Sequence, residues 1–305
     1  MSSAVAWTDV GPRDGLQNLS EIVPTAVKVR LVRGLLDAGV PRVEATSFVS
    51  PKWVPQLADA AAVLDALGPA TLRWLRVLVP NERGLELALE HGISNVVVTI
   101  AATDSFNVRN VNRSVAESLA GIEAMVALAG EAGCIVDAAI SVCFGCPFEG
   151  TVTLERVLAL AAEVARRGVG EVAVADTIGV ATPREVAELC TRLQAVVPVD
   201  RLALHVHDTR GQGVANVVAA YGVGVRRFEG SAGGLGGCPF APRSTGNVCS
   251  EDALLALHSL GAESGCDLDA YAAVSERLAA DLGMTLPGKL HRAGVWHPER
   301  VSAPA

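Results

Sequence analysis

A His-x-His pair ends one of the apolar runs of the chain: His205 and His207 flank Val206, and Asp208 follows. Residues two apart in a β-strand point to the same face, so both imidazoles project to one side and Val206 to the other. A single strand histidine is more often a hydrogen-bonded core residue than a ligand, but two on one face at a strand end make half of a metal site. We therefore predict that His205 and His207 bind a metal ion.

The remaining ligands of such a site should be oxygen donors. Asp14 follows the first predicted strand, and Asn247 lies in the loop after the eighth. Two histidines, one aspartate and one asparagine give a mixed nitrogen and oxygen ligand set, which suits octahedral Mg²⁺ or Mn²⁺ with positions left for substrate oxygens. A zinc site closed by thiolates is the less favoured interpretation.

The cysteines have different predicted roles. Cys238 lies in the glycine-dense segment 233–239, which can be neither strand nor helix, so its thiol could swing over a site. Cys143-x-x-Cys146 has no second cysteine pair at finger spacing and is followed by Pro147, which favours a structural turn over a zinc knuckle or redox pair. Seven cysteines, an odd number in a chain this long, indicate reduced thiols.

The elements that must position these residues alternate from end to end. Short β-branched runs are separated by amphipathic helical stretches, which is typical of parallel strands with crossover helices. No GxGxxG follows the first run, which argues against a dinucleotide-binding fold. Eight strands predict a (β/α)8 TIM barrel, with the strands at Ala4–Asp9, Arg42–Thr46, Leu75–Val79, Asn95–Ile100, Ile135–Ser141, Glu171–Ala175, Leu202–His207 and Arg226–Glu229.

Helical periodicity and capping signals place the helices between these strands. Thr182 is a good N-cap with Pro183 just inside the helix. The other clear helices are Thr25–Ala38, Leu154–Arg167, a closing helix near Ser250–Leu260 and one more at Leu268–Asp281. The tail from Pro287 is predicted to be a loop. We expect a single domain over residues 1–305, with the barrel at about 4–262 and a C-terminal helical extension at about 263–305.

A barrel of this kind collects its reactive groups at the carboxyl ends of its strands. Arg13 and Asp14 follow the first strand, Glu44 lies in the second, and Asp176 follows the sixth, so one mouth should hold all of them with His205. The structural alternative is that Arg13 and Asp14 form only an ion pair within the loop, without a role in catalysis. Polar residues at the same strand ends are predicted to bind the substrate and its cofactor: Gln17, Ser47, Ser141 and Thr177.

Composition limits the function classes. The chain has 305 residues, 50% of them hydrophobic, and a net charge of −8 without a basic cluster, so nucleic acid and anionic membranes are poor partners. The amino terminus lacks a basic stretch followed by an apolar run, and no segment approaches the ~20 apolar residues that span a bilayer. We expect a cytoplasmic protein that acts on a small molecule.

Six motifs carry a resemblance to a known family. In order along the chain they are GPRDGLQN (11–18), TSFVSPKWVPQ (46–56), GCPFEG (145–150), ADTIGVATP (175–183), HVHDTRGQGVAN (205–216) and GGLGGCPFAPRSTGN (233–247). Together, from about Val10 to about Leu260, they resemble the 3-hydroxy-3-methylglutaryl-CoA (HMG-CoA) lyases. Related synthases share Arg-Asp after strand one and His-x-His on strand seven, whereas GGLGGCP and SFVSPKW narrow the resemblance to the lyases.

The resemblance implies roles for single residues. The matching positions for divalent-metal ligands are Asp14, His205, His207 and Asn247, and the matching catalytic positions are Arg13, Asp14, Glu44, Asp176, His205 and Cys238. The implied reaction is the aldol-type cleavage of an acyl-CoA thioester, HMG-CoA, to acetyl-CoA and acetoacetate. Barrels of this family commonly pair, so a homodimer is expected.

Three departures from the family pattern bear on the substrate. Asp137 and Ala139 stand where many relatives carry a basic and an aromatic residue, and Ser20 stands where lysine is frequent. These changes could enlarge or re-charge the acyl pocket, so a lyase for a bulkier or differently substituted 3-hydroxyacyl-CoA is the first alternative. A synthase that condenses acetyl-CoA with a 2-oxo acid is weaker, because only about 45 residues follow Leu260. A non-catalytic barrel is the third.

Overall fold

Eight parallel strands close into a barrel in the order in which they occur along the chain. The computed structural model describes residues 3–237 and 246–298. The first and last strands pair through Ala6 with Arg227 and Asp9 with Gly230, which closes the cylinder. The strands are β1 (Ala6–Asp9), β2 (Arg42–Ser47), β3 (Leu75–Leu78), β4 (Asn95–Ala101), β5 (Ile135–Ser141), β6 (Val172–Asp176), β7 (Leu202–Val206) and β8 (Arg227–Gly230).

Helices connect the strands and form the outer layer. They are α1 (Thr25–Asp37), α2 (Ala60–Leu67), α3 (Glu82–Glu90), α4 (Asp104–Val111), α5 (Val115–Glu131), α6 (Leu154–Arg166), α7 (Pro183–Leu193), α8 (Gly213–Gly222), α9 (Ser250–Ser259), α10 (Leu268–Leu282) and α11 (Leu290–Ala293). Ser114 and Thr182 cap α5 and α7 through complete capping boxes, which satisfy the free N–H groups of the first turn. The (β/α)8 fold predicted from the sequence is confirmed.

The predicted element bounds need small corrections. Strand β7 ends at Val206 instead of His207, and β6 extends to Asp176. The tail predicted to be a loop from Pro287 contains the one-turn helix α11. The extension helix α10 returns to the barrel, where the Tyr271 hydroxyl donates to the buried carboxylate of Asp9. This bond ties the outer helix to the strand that precedes Asp14.

Charged side chains occupy the barrel interior, where branched aliphatic residues are the usual filling. At the amino-terminal end, Arg42 donates to Asp137 at 3.2 Å and to Glu171 at 2.6 Å. Arg227 donates to Glu171 at 3.2 Å. Arg76 follows on β3 and is 1% exposed. Ion pairs thus extend from the amino-terminal end of the barrel toward its mouth.

Asp137 does not re-charge the mouth, so that part of the prediction is wrong. It is the third residue of the seven-residue β5, and Arg42 and Asn95 both donate to its Oδ2. Ala139, two residues further, shares the inward face by strand alternation and stays partly exposed although it lies mid-strand. Ser20 is exposed on the loop before α1. Of the two departures on β5, Asp137 is buried and Ala139 is partly exposed.

Over residues 3–237 and 246–298, no helix is both long enough and apolar enough to cross a membrane.

Candidate active site

Asp14 is carried by a single turn of π-helix, Gly11–Gly15, that follows β1 directly. The N–H groups of Asp14 and Gly15 both donate to the carbonyl of Val10, which turns the chain back over the strand end. A Cβ on Gly11 would lie 2.8 Å from Asp9 Oδ1, so only glycine fits this close approach. Single π-turns are frequent at functional sites. The GPRDG sequence thereby holds the Asp14 carboxylate, which is 9% exposed, at the mouth.

The two histidines project into the barrel from the end of β7, as strand alternation predicts. Their ring centroids are 5.2 Å apart and both side chains are buried. Asn247 reaches them because the chain after the glycine loop pairs antiparallel with the residues around His207. The N–H of Asp208 donates to Gly246 at 2.8 Å, and the N–H of Val248 donates to Val206 at 3.0 Å. These bonds bring a residue 40 positions away in sequence beside the His pair.

The four predicted ligands form one cluster. Ligand atoms of Asp14, His205 and His207 all lie within 4.8 Å of one another. Asn247 Nδ2 donates to Asp14 Oδ2 at 2.9 Å. Asn247 Oδ1 and His207 Nδ1 are buried and have no hydrogen-bond partner among the residues that the structure describes. Buried polar atoms without partners are costly unless something else satisfies them. The donor set and its unsatisfied atoms fit a divalent cation, and across the described chain no other group of this kind occurs.

The surroundings of the cluster shift the pKa values of its members in different directions. Burial acts to lower the pKa of His205, but Glu229 and Asp14 outweigh it and the pKa is raised. Burial and the neighbouring His205 lower the pKa of His207 to about 4, so its ring is neutral near pH 7. Burial acts to raise the pKa of Asp14, but Arg13 and the two histidines outweigh it and the pKa is lowered. An ionised carboxylate and a neutral imidazole are the forms that bind metals.

Arg13 lies between two acidic side chains at the edge of the cluster. Its Nη1 donates to Asp14 Oδ1 at 2.6 Å, and its Nε donates to Glu44 Oε1. Gln17 completes the group, with Nε2 donating to Asp14 Oδ1 at 3.2 Å. The guanidinium is therefore held in one orientation by charged acceptors on the π-helical turn after β1 and on β2. A cation fixed in this way is suited to stabilise negative charge that develops on a substrate oxygen.

Comparison with known proteins agrees with this arrangement. The family model described as HMGL-like matches residues 4–278. The chain belongs to the HMGL-like family. Among its relatives, the (R)-citramalyl-CoA lyase of Chloroflexus aurantiacus is 42% identical over 309 residues, which cover 98% of this chain and 98% of that protein. The hydroxymethylglutaryl-CoA lyase of Pseudomonas mevalonii is 42% identical over 280 residues, covering 92% and 93%.

Solved structures give the same assignment. An HMG-CoA lyase from Acinetobacter baumannii, in complex with coenzyme A and 3-methylmalate, superposes with a TM-score of 0.93 at 35% identity. The match covers 100% of this chain and 99% of that one. The two relatives named above are carbon–carbon lyases that act on CoA thioesters, and this chain is a carbon–carbon lyase of the same family.

Four other predicted site residues of the HMGL-like barrel form no described hydrogen bond with the Asp14, His205, His207 and Asn247 cluster. Asp176 does not touch the cluster by any bond the structure describes: its Oδ1 and Oδ2 accept from the N–H groups of Val180 and Ala181. The Thr177 hydroxyl accepts from Val142 at 2.8 Å. Ser47 is buried with a hydroxyl that has no partner, and Ser141 is partly exposed at the end of β5. Direct substrate contacts by these four residues stay predictions.

We expect Asp176→Asn to weaken the fold around the β6–α7 loop. The buried carboxylate accepts from two loop N–H groups, and an amide offers only one oxygen, so one N–H would face an NH2 group. The free energy of unfolding should fall by about 1–3 kcal/mol, the cost of one unsatisfied buried donor. Urea denaturation measures this. An unchanged midpoint would show that the loop does not depend on the carboxylate.

The cysteines that the structure describes are all buried and free of disulfides. Cys238, predicted to be the mobile catalytic thiol, lies outside the described residues. Cys143 and Cys146 are buried, and Cys146 exchanges backbone hydrogen bonds with Gly150 across a turn, which confirms the structural turn predicted there. Burial raises the pKa of Cys143 to about 12, so its thiol is unreactive near neutral pH.

Two residues beneath the cluster were not predicted from the sequence. Glu229, on β8, faces His205 Nδ1 at 3.0 Å through Oε2. Arg76, on β3, contacts both Glu229 and Glu44. The strand-end criterion that selected Asp176 would also have selected Glu229 at the end of the eighth strand. For Arg76 the sequence offered a weaker indication of a functional role, because it is a single charged residue inside the apolar strand β3.

Proposed function

We propose that this protein is a divalent-metal-dependent lyase that cleaves HMG-CoA to acetyl-CoA and acetoacetate. The observation that carries the proposal is the cluster of Asp14, His205, His207 and Asn247 beside the fixed guanidinium of Arg13. It lies at the carboxyl-terminal mouth of a barrel whose relatives include curated HMG-CoA lyases. Metal binding and carbanion stabilisation are the two capacities that this cleavage requires.

Asp14, His205, His207 and Asn247 would hold Mg²⁺ or Mn²⁺. When bound, such an ion supplies Lewis acidity and a template for the C3 hydroxyl and the free carboxylate of the substrate. Arg13 would orient the thioester carbonyl and stabilise the negative charge that moves to its oxygen as the C2–C3 bond breaks. The proton leaves the C3 hydroxyl, C3 becomes the ketone of acetoacetate, and C2 takes up a proton to give acetyl-CoA.

His205 was predicted both to bind the metal and to take the hydroxyl proton. Its Nδ1 faces Glu229 at 3.0 Å, which leaves Nε2 as the nitrogen directed to the cluster. Each role uses Nε2, so in any one step the ring is either a ligand or the proton acceptor. Each carboxylate oxygen of Asp176 accepts one loop N–H and keeps a second lone pair, so the alternative base, a water held by Asp176, stays a prediction.

A second candidate is the cleavage of (R)-citramalyl-CoA to acetyl-CoA and pyruvate. The relative of that name covers 98% of both chains at 42% identity. The two substrates share the thioester, the C3 hydroxyl and the C3 methyl group, and they differ by one CH2 before the free carboxylate. Ala139, on the inward face of β5, has a small side chain, which is compatible with acyl groups of either length. One methylene is worth only about 1–3 kcal/mol in a pocket, so the same site could discriminate modestly between them.

The experiment is a comparison of the two thioesters with Mg²⁺ or Mn²⁺. Acetoacetate and pyruvate are measured separately, and each assay is repeated after chelation and after metal is restored. We expect acetoacetate formation that is lost on chelation and recovered with metal, at a higher kcat/KM than pyruvate formation. Preferential pyruvate release would replace HMG-CoA by citramalyl-CoA as the substrate. Activity that survives complete chelation would refute the metal assignment, and Mn²⁺ binding without turnover of either would direct the search to bulkier thioesters.

A further inference from the structure

The guanidinium of Arg76 lies directly beneath the candidate active site and is linked, through two carboxylates, to Arg13 and His205. Arg76 Nε donates to Glu44 Oε2 at 2.8 Å, and Arg76 Nη2 donates to Glu229 Oε1 at 2.5 Å. The opposite oxygens of the same carboxylates face the site: Glu44 Oε1 accepts from Arg13, and Glu229 Oε2 lies 3.0 Å from His205 Nδ1. Each carboxylate is therefore a bridge from Arg76 to one side chain of the site.

The three side chains of this link belong to three different strands. Glu44 is on β2, Arg76 on β3 and Glu229 on β8, so the guanidinium spans the lumen. All three side chains are almost fully buried, at 0%, 1% and 3% exposure. Burying carboxylates is costly unless they are paired and hydrogen-bonded. A planar guanidinium with donors on several edges can hold two carboxylates at once in fixed directions, which an ammonium group does poorly.

We propose that Arg76 is a positioning residue for the lyase reaction. By holding Glu44 and Glu229 together, it sets the direction of the Arg13 guanidinium and the ring of His205 relative to each other. A carboxylate held at Nδ1 favours the His205 tautomer with the proton on Nδ1 and the lone pair of Nε2 directed to the cluster, the arrangement typical of metal-binding histidines. The proposal rests on the proposed function but concerns Arg76, which lies beneath the site and bonds to neither a predicted metal ligand nor Arg13.

Arg42 provides a matched control inside the same barrel. It also pairs with buried carboxylates, Asp137 and Glu171. Arg76 Nη1 donates to Glu171 as well, at 3.4 Å, but neither carboxylate bonds to Arg13 or to a member of the metal cluster. Replacing either arginine by methionine leaves buried carboxylates short of a cation, so both variants should lose thermal stability. Only the replacement of Arg76 releases the two side chains of the site.

The kinetic test compares Arg76→Met, Arg76→Lys and Glu229→Gln with Arg42→Met. We expect kcat to fall about 100-fold in Arg76→Met and Glu229→Gln, because small misplacements of catalytic groups cost about that much. KM should change less than about threefold, and Arg76→Lys should recover only part of the loss. Arg42→Met should keep kcat within about threefold for its folded fraction. Equal kcat losses in Arg76→Met and Arg42→Met, or none in either, would overturn the proposal.

A second readout does not depend on turnover. Nitrogen-15 spectra of the histidine side chains, recorded without metal at alkaline pH, where the imidazoles are neutral, distinguish a ring protonated on Nδ1 from one protonated on Nε2. We expect His205 to carry the proton on Nδ1 in the native enzyme and in Arg42→Met, and to lose that preference in Arg76→Met and Glu229→Gln. An unchanged tautomer in the last two refutes the positioning role, whatever the substrate. The expected shift in a protein that cleaves neither thioester would instead refute the proposed function alone.

Discussion

Asp14→Asn should reduce turnover by about three orders of magnitude or more and abolish tight metal binding. The carboxylate has three partners at the centre of the site: Arg13 and Gln17 at Oδ1, and Asn247 at Oδ2. An amide of the same shape removes the one anionic ligand of the cluster and leaves Arg13 without that counterion. Loss of metal-dependent charge stabilisation is worth several kcal/mol, and each 1.36 kcal/mol changes the rate tenfold.

The measurement combines kcat over a range of Mn²⁺ concentrations with calorimetric titration of Mn²⁺ into the metal-free protein. Asp104→Asn is the matched control, since Asp104 is an exposed carboxylate at the same end of the barrel that accepts from Val115 N–H. It should bind Mn²⁺ and turn over like the native protein. Near-native turnover of Asp14→Asn at low Mn²⁺ would show that Asp14 is a loop ion-pair partner and that the metal ligands lie elsewhere.

The barrel could be predicted from the sequence because its signals are local. β-Branched runs, capping residues such as Thr182 and the alternation of strand and helix are each encoded within a few residues. Strand alternation likewise gave the common direction of His205 and His207. The strand ends shifted by one or two residues, because the last hydrogen bond of a strand depends on its neighbours in the barrel.

The polar interior could not be predicted in the same way. Asp137 was predicted to alter the acyl pocket because many relatives carry a basic residue at that position, but its height in the barrel and its pairing with Arg42 depend on strand register. The link from Arg76 to Glu44 and Glu229 joins three strands, 32 and 153 residues apart in sequence, and no periodicity encodes such a bond. Asp176 was predicted at the correct strand end. The sequence motif did not predict that the N–H groups of Val180 and Ala181 would donate to its carboxylate.

Arg13→Lys is the sharper test of mechanism, because it separates carbanion stabilisation from metal binding. Lysine keeps the charge but cannot reach Glu44 and Asp14 together with a planar group, so the cation loses its fixed direction. We expect kcat to fall about 100- to 1000-fold, the range for loss of one preorganised charge-stabilising donor. Mn²⁺ affinity should stay within a few-fold of native, because the four metal ligands are intact.

Arg109→Lys serves as its control: Arg109 lies on α4, stacks 4.2 Å from the Phe148 ring centroid and donates to Ser105 O, away from the cluster. Its kcat and Mn²⁺ affinity should be native. If Arg13→Lys keeps kcat within about threefold, Arg13 is only a structural partner of Glu44 and Asp14. If instead Mn²⁺ affinity falls as steeply as kcat, the guanidinium acts by holding Asp14 in place. A large fall in kcat with metal binding preserved is the result that places Arg13 on the developing negative charge.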